Sequence, residues 1–388
     1  MIVKLHFTGG EVGAIYATMG LASLFMPALM GIVADRWVNA ERLLGICHIL
    51  GGVLLFTAST VTDPEAMYWL MLLNAMVYMP TIALNNTVSF SVLKSSGMDV
   101  VKDFPPIRVW GTIGFIVAMW VVDLCGWTLS PLQLYLGAAA AFILGIYAFT
   151  MPQCKPGGTG HKKTLISSLG LDALVLFKEK KIAVFFIFSM LLGAALQITN
   201  TFGEPFLHDF ANVPAYKDLF AVTHPGILMS VSQISETLFI LAIPFVLRKY
   251  GIKTVVMMSI FAWVLRFGLF GLGNPGSGLP LLVLSMIIYG VAFDFFNISG
   301  SLFINDEAKP EIRASAQGLF MMMTNGIGAF AGGRLSGLVV DHFTSADGVK
   351  DWPQIWFVFA AYALVIGILF ALLFRYKHNP APKTAVKA

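Results

Sequence analysis

Long apolar runs alternate with short polar breaks along the whole chain. The runs fall at roughly 10–34, 42–62, 65–93, 104–125, 130–151, 181–207, 222–248, 251–273, 279–304, 312–340 and 352–375. Between them stand turn and breaker clusters, among them Thr62-Asp63-Pro64, Pro105-Pro106, the segment from Asn274 to Gly278, and Trp352-Pro353. About 20 mostly apolar residues suffice for a helix to cross the hydrocarbon of a bilayer. The short alternating segments of a membrane barrel are not found. The pattern therefore predicts an all-α polytopic membrane protein with eleven spans. Five precede a polar stretch at 152–180 and six follow it, giving a helical half over 1–151, a linker over 152–180, a second half over 181–378 and a tail over 379–388.

Composition agrees with this pattern. Of 388 residues, 57% are hydrophobic and only 12% charged, whereas a soluble domain carries about 25% charged residues. Three cysteines, Cys47, Cys125 and Cys154, show neither a disulfide framework nor metal-ligand spacing. No GxxxxGK[ST], HExxH or GxSxG string lies on these segments. ATP-driven transport and membrane hydrolysis have no support, and neither a cofactor nor an enzyme activity is expected.

The net charge of +4 is informative through its placement. Basic residues occupy short loops, not a stripe on a soluble face, so nucleic acid is not an expected partner. Of the 25 Lys and Arg residues, Lys4, Lys217 and Lys350 fall on one side, and Arg108, Arg266 and Arg334 lie within runs. The other nineteen share the opposite side. Short cytoplasmic loops carry the excess of Lys and Arg, so the linker and the C-terminus are expected in the cytoplasm and Lys4 outside. A weak repeat is also visible. Pro27 heads a segment ending in Asp35-Arg36, Pro244 one ending in Arg248-Lys249, and a basic turn and an apolar run follow each. Two related helical halves joined by a basic loop is a transporter plan.

Polar groups inside the runs are expensive and point to function. Gln197 and Asn200, Gln233 and Glu236, and Asp294 and Asn297 are each spaced i,i+3, with Tyr289 and Phe293 one turn apart beside the last pair. Residues at that spacing share a helix face. In the first half, Arg108, Thr112 and Phe115 form a stripe of their own. Glu236 and Asp294 stand near the middle of apolar runs, and Asp123 and Glu204 near outer, wetted ends. Arg266 and Arg334 are candidates for buried ion pairs, and the glycines around Arg334 for close helix packing. Amides, two carboxylates, a cation and rings together suit a polar, ring-shaped, uncharged solute.

Several strings carry a family resemblance: Phe-Met-Pro-Ala-Leu (25–29), Asp-Phe-Pro-Pro-Ile-Arg-Val-Trp-Gly-Thr (103–112), Leu-Gln-Ile-Thr-Asn (196–200), Gln-Ile-Ser-Glu-Thr (233–237), Ala-Phe-Asp-Phe-Phe-Asn-Ile-Ser-Gly-Ser (292–301) and Arg-Ala-Ser-Ala-Gln-Gly (313–318). They resemble the nucleoside:proton symporter family of the major facilitator superfamily over essentially the whole chain. The resemblance implies a major facilitator fold and proton-driven import of purine and pyrimidine nucleosides by a monomer in the bacterial inner membrane. It implies a substrate cavity built from Arg108, Thr112, Phe115, Gln197, Asn200, Gln233, Glu236, Tyr289, Phe293 and Asp294, with proton coupling at Glu236 or Asp294. Family members carry one more helix ahead of the segment matching Ile2–Gly10, so the first family helix is expected to be missing from the eleven. A sugar or oligosaccharide symporter would use similar groups, and a nutrient sensor would bind without accumulating.

Reporter fusions test the topology. Fusions at Lys163 and after Ala388 are expected to read cytoplasmic, and one within Asn274–Gly278 external. A periplasmic reading at either cytoplasmic point overturns the assignment.

Overall fold

The computed structural model describes residues 1–154, 156, 171–309 and 312–376. Most of the linker, including Lys155, Lys162 and Lys163, and the tail after Tyr376 lie outside the described residues. Helix dominates, and the one β contact among the described residues is an isolated bridge between Thr344 and Lys350. The helices before the linker are α1 (Gly9–Ser23), α2 (Met26–Arg36), α3 (Ala40–Ala58), α4 (Pro64–Ser95), α5 (Val100–Leu124) and α6 (Leu132–Ala148). After it come α7 (Lys180–Asp209), α8 (Pro225–Leu272), α9 (Leu279–Glu307), α10 (Arg313–Met321), α11 (Ala329–His342) and α12 (Trp352–Leu373).

Each boundary has a local cause. Thr8 and Glu11 form a reciprocal capping box at the start of α1. Asp63 accepts from the Ala66 amide at 2.8 Å, and Pro64 occupies the first turn of α4, where a missing N–H costs nothing. Asp351 and Pro353 start α12 in the same way.

Among the described residues, eight helical segments are long and apolar enough to cross a membrane. Every apolar run found in the sequence lies on helix, but several depart from plain, separate spans. The run at 10–34 breaks between Ser23 and Met26, and α6 is a shorter apolar helix. The run at 312–340 contains a π segment, Met322–Gly328, between α10 and α11. The runs at 222–248 and 251–273 are two helical segments of α8 joined directly at Gly251, whose non-helical backbone, with φ of 75°, suits glycine.

The two groups of helices are packed unequally. The second group encloses a continuous aromatic core in which Phe185, Phe303, Phe320, Trp263, Phe267 and Trp356 are fully buried. The first group has only small clusters, around Leu44 and Val88 or around Val12 and Met67. Large apolar side chains elsewhere face outward, such as Ile143, Leu241 and Phe245, each at least 70% exposed. An uncovered apolar surface of that extent requires lipid around it.

The groups meet at the end of the bundle that is poor in basic residues. There α1 runs against α11 through glycines. A Cβ added at Gly13 would overlap the Gly333 carbonyl oxygen, and one at Gly333 would sit 2.8 Å from the Gly13 carbonyl oxygen. Asp341, at the end of α11, accepts from the Gly9 and Gly10 amides at 2.6 and 2.7 Å, so it caps α1 from the other group. The mirror arrangement joins α5 to α8. Asp123 accepts from the Gly226 and Ile227 amides at 2.6 and 3.2 Å, and its second oxygen lies 2.6 Å from His224 Nδ1. Asp123 was expected at a wetted helix end, yet it is 3% exposed. The reason is that the free N–H groups of α8 face it and replace water. Both caps couple a carboxylate to a positive helix terminus through charge-assisted hydrogen bonds.

Such a cap is worth about 1–2 kcal/mol, a factor of roughly 5–30 in an equilibrium. Removing one therefore loosens the seam measurably. A cysteine at Ala17, which is fully buried against Gly333, reports on it once the three native cysteines are replaced by serine. Asp341→Ala and Gly13→Val are each expected to speed maleimide labelling of that cysteine about fivefold or more. Unchanged labelling in both variants would show that the caps and the glycine contact do not hold the seam.

Candidate substrate and proton site

The site is organised by the way α9 is fastened to α8. The Ser235 hydroxyl donates to the Ile287 carbonyl, and the Ser259 hydroxyl to the Ala292 carbonyl, from opposite sides of the bend at Gly251. Between these two ties, Gly290 lets the backbones meet, since a Cβ there would sit 2.7 Å from the Ser235 carbonyl oxygen. The rotation of α9 over 287–294 is thereby fixed. Tyr289 and Asp294 are held in buried positions, 5% and 3% exposed, with Phe293 half-buried.

Around that segment the structure brings together six of the residues expected from sequence. The Tyr289 and Phe293 rings are nearly parallel, 8° apart with centroids 5.8 Å apart, and form a flat aromatic wall. The Gln233 side chain reaches the Tyr289 hydroxyl, and the Glu236 carboxylate is in electrostatic range of it. Arg108 on α5 is in electrostatic range of Glu236, and Glu236 is in range of Asp294. Asp294 Oδ2 is buried with no hydrogen-bond partner among the described residues. A buried polar atom of this kind costs free energy until something pairs with it. A proton on the carboxyl itself or a hydroxyl of a bound molecule would fill that role.

On α5, Thr112 and Phe115 continue the face that begins at Arg108, and Phe115 is 54% exposed. Gly111 makes room for the cation, because a Cβ there would sit 2.8 Å from Arg108 Nη1. On the same helix Asp123 is buried at the basic-poor end, whereas Arg108, toward the basic-rich end, is exposed.

The α7 pair is placed differently. Gln197 is buried and its amide lies 3.3 Å from Thr201 Oγ1 on its own helix. Asn200 lines a separate groove of about 850 Å³ between α1, α3, α4, α6 and α7, together with Tyr16, His48, Asn74 and Gln133. None of the α8 or α9 residues lines that groove. Arg266 and Arg334, expected as ion-pair partners, instead lie over rings: Arg266 over Tyr289 and Phe270, and Arg334 over Tyr68. Their guanidinium planes match aromatic faces, a contact that needs no carboxylate. Sequence reasoning also missed Ser235, Ser259 and Gly290. The spacing of a serine to a carbonyl on another helix leaves no periodic trace.

As chemistry, the cluster offers a flat ring surface, an amide and a phenol for hydroxyls and ring edges, and two carboxyls able to hold a proton beside a cation. The description "Nucleoside H+ symporter" belongs to the family model that matches residues 1–379. The chain is 56% identical over 381 residues to the xanthosine permease of Escherichia coli K12 and 55% identical over 383 residues to its nucleoside permease NupG. Each comparison covers 98% of this chain and 91% of the relative. The crystal structure of the nucleoside transporter NupG superposes with a TM-score of 0.92, covering 97% of this chain and 93% of that one at 55% identity. A bacterial homologue of the human lysosomal transporter Spinster, 11% identical with a TM-score of 0.69, shares the fold alone. The fold is that of the major facilitator transporters, and the chain belongs to the nucleoside:proton symporter family.

Proposed function

We propose that this protein imports nucleosides together with protons across a bacterial inner membrane, binding both at the cluster between α5, α8 and α9. The observation that carries this reading is Asp294. It is a buried carboxyl with an unpaired oxygen, beside an aromatic wall and in electrostatic range of a second carboxyl at Glu236. A nucleoside supplies a flat base for the wall and ribose hydroxyls for the carboxyl and amide groups. Purines and pyrimidines both present these features.

The two helical halves, 1–151 and 181–378, joined by the 152–180 linker, would rock about the site. The basic-rich end, the linker and the C-terminus face the cytoplasm in this reading, in keeping with the positive-inside rule. The caps at Asp123 and Asp341 then close the periplasmic side. One charge moving down 100 mV releases about 2.3 kcal/mol, which supports roughly fiftyfold accumulation of a neutral solute at one proton per nucleoside. Transport by a monomer is part of this reading.

Glu236 is assigned to proton carriage and Asp294 to recognition of a substrate hydroxyl. Glu236→Gln is expected to bind nucleoside but fail to concentrate it in proteoliposomes under a pH gradient, and Asp294→Asn to lose affinity at every pH. Accumulation by Glu236→Gln would move the proton to Asp294. Competition by adenosine and uridine, but not by sugars, checks the substrate class in the same assay.

The amides are expected to divide. Gln233→Ala leaves the Tyr289 hydroxyl and the substrate one partner short, at about 1–3 kcal/mol, so calorimetry should show a Kd increase of about fivefold or more. Gln197→Ala loses mainly a contact within α7, and its affinity should change less. Equal losses would place Gln197 beside the substrate in the bound state.

A further inference from the structure

Arg266 is the largest charged side chain fully enclosed in the protein, at 1% exposure. It stands on the second part of α8, behind the aromatic wall. Its guanidinium carbon lies 4.7 Å from the centroid of Tyr289 and 5.0 Å from that of Phe270, so the cation lies over two rings. In the same position Nη1 donates to the Ser285 carbonyl at 2.7 Å and lies 3.5 Å from Ser232 Oγ. Ser285 and Tyr289 are one turn apart on α9, so one planar group grips both the backbone and the ring of a single helical turn. The Ser285 hydroxyl returns a hydrogen bond to the Arg266 carbonyl at 2.8 Å. Trp263 meets the Tyr289 ring edge-on, at 88° and 6.1 Å.

Holding helices together does not account for this arginine. The hydroxyls of Ser235 and Ser259 already tie α8 to α9 without charge. Among the described residues no carboxylate forms a salt bridge with Arg266, and its Nε has no partner. Burying a cation so incompletely paired is costly, and an apolar side chain of similar volume would pack more cheaply. What a neutral residue cannot do is set a cation over the Tyr289 face while donating to the carbonyl one turn away.

We propose that Arg266 is a positioning residue for substrate binding: it clamps the Tyr289 ring in the plane that aligns it with Phe293 and points its hydroxyl toward Gln233. Arg266 does not touch the nucleoside. It sets, before binding, the orientation that the nucleoside then uses, which lowers the ordering cost of association. The proposal rests on the reading that Tyr289 and Phe293 contact the substrate.

The test is a double-mutant cycle on the full-length protein in detergent, with uridine and adenosine binding measured by calorimetry and uptake by proteoliposomes. Arg266→Met is expected to raise Kd and KM at least tenfold while the rate at saturating nucleoside stays within threefold. Arg266→Lys, which keeps a cation over the ring but not the planar clamp, should recover part of that loss. In a Tyr289→Leu background, Arg266→Met should add less than twofold, because the ring it positions is gone. Should Arg266→Met fail to fold, Arg266→Lys combined with Tyr289→Leu gives the same cycle with a smaller expected effect. An Arg266→Met Kd within twofold of the parent, or losses that multiply in the double variant, overturns the clamp and leaves the aromatic site standing. A Tyr289→Leu variant with unchanged affinity overturns the site reading and the clamp together.

Discussion

In hydrocarbon a polar atom has no water to fall back on, and every donor or acceptor must find its partner inside the protein. The architecture follows from how this chain meets that demand. Where backbone N–H groups are left free at the starts of α1 and α8, carboxylates from the opposite group of helices supply them. Where a cation is buried, aromatic faces and a carbonyl receive it. Serine hydroxyls close onto carbonyls of the neighbouring helix and so set its rotation. At Asp294 Oδ2 the demand is left unmet among the described residues. A shortfall held in place by so much satisfied structure is a specification for what should arrive there.

The same economy explains the unequal packing of the two groups. The second group carries both ties of α9, the arginine behind the aromatic wall and the continuous aromatic core. It is a rigid bed that holds one side of the site at fixed geometry. The first group offers α5, a helix with little of its surface buried, whose Arg108 is in electrostatic range of Glu236. A site with one rigid wall and one lightly packed wall can change its width without disturbing the aromatic wall proposed to receive the base.

Legibility from sequence followed the same division. The helical class, the placement of the helices and the family were readable because they rest on apolar run length, breaker residues and strings of adjacent letters. Gln233, Glu236, Tyr289, Phe293 and Asp294 were readable because a polar group in an apolar run is conspicuous and helical spacing puts neighbours on one face. Asp123 was misjudged because what matters at a helix end is who stands opposite, and Gly226 lies about a hundred residues away. Arg266 was visible as an anomaly, but its partners are rings, which abound in this sequence and so single out no one pairing. The amides of α7 show the limit of spacing alone. Gln197 and Asn200 share a helix face yet reach different surroundings, one a hydroxyl on its own helix and the other an open groove.

The contact between α1 and α11 has a mechanical meaning beyond its closeness. Glycine against glycine brings main chains together while covering almost no apolar side-chain area, and the hydrophobic contribution scales with the area covered. A seam built this way is fastened at its margin by Asp341, whose two hydrogen bonds are short and directional. It behaves like a zipper with a bare tape and a single clasp. Once the clasp lets go, little resists along the rest of the length, so parting is abrupt instead of gradual. Resealing needs only that two smooth surfaces find their register, which a Cβ at Gly13 or Gly333 would spoil.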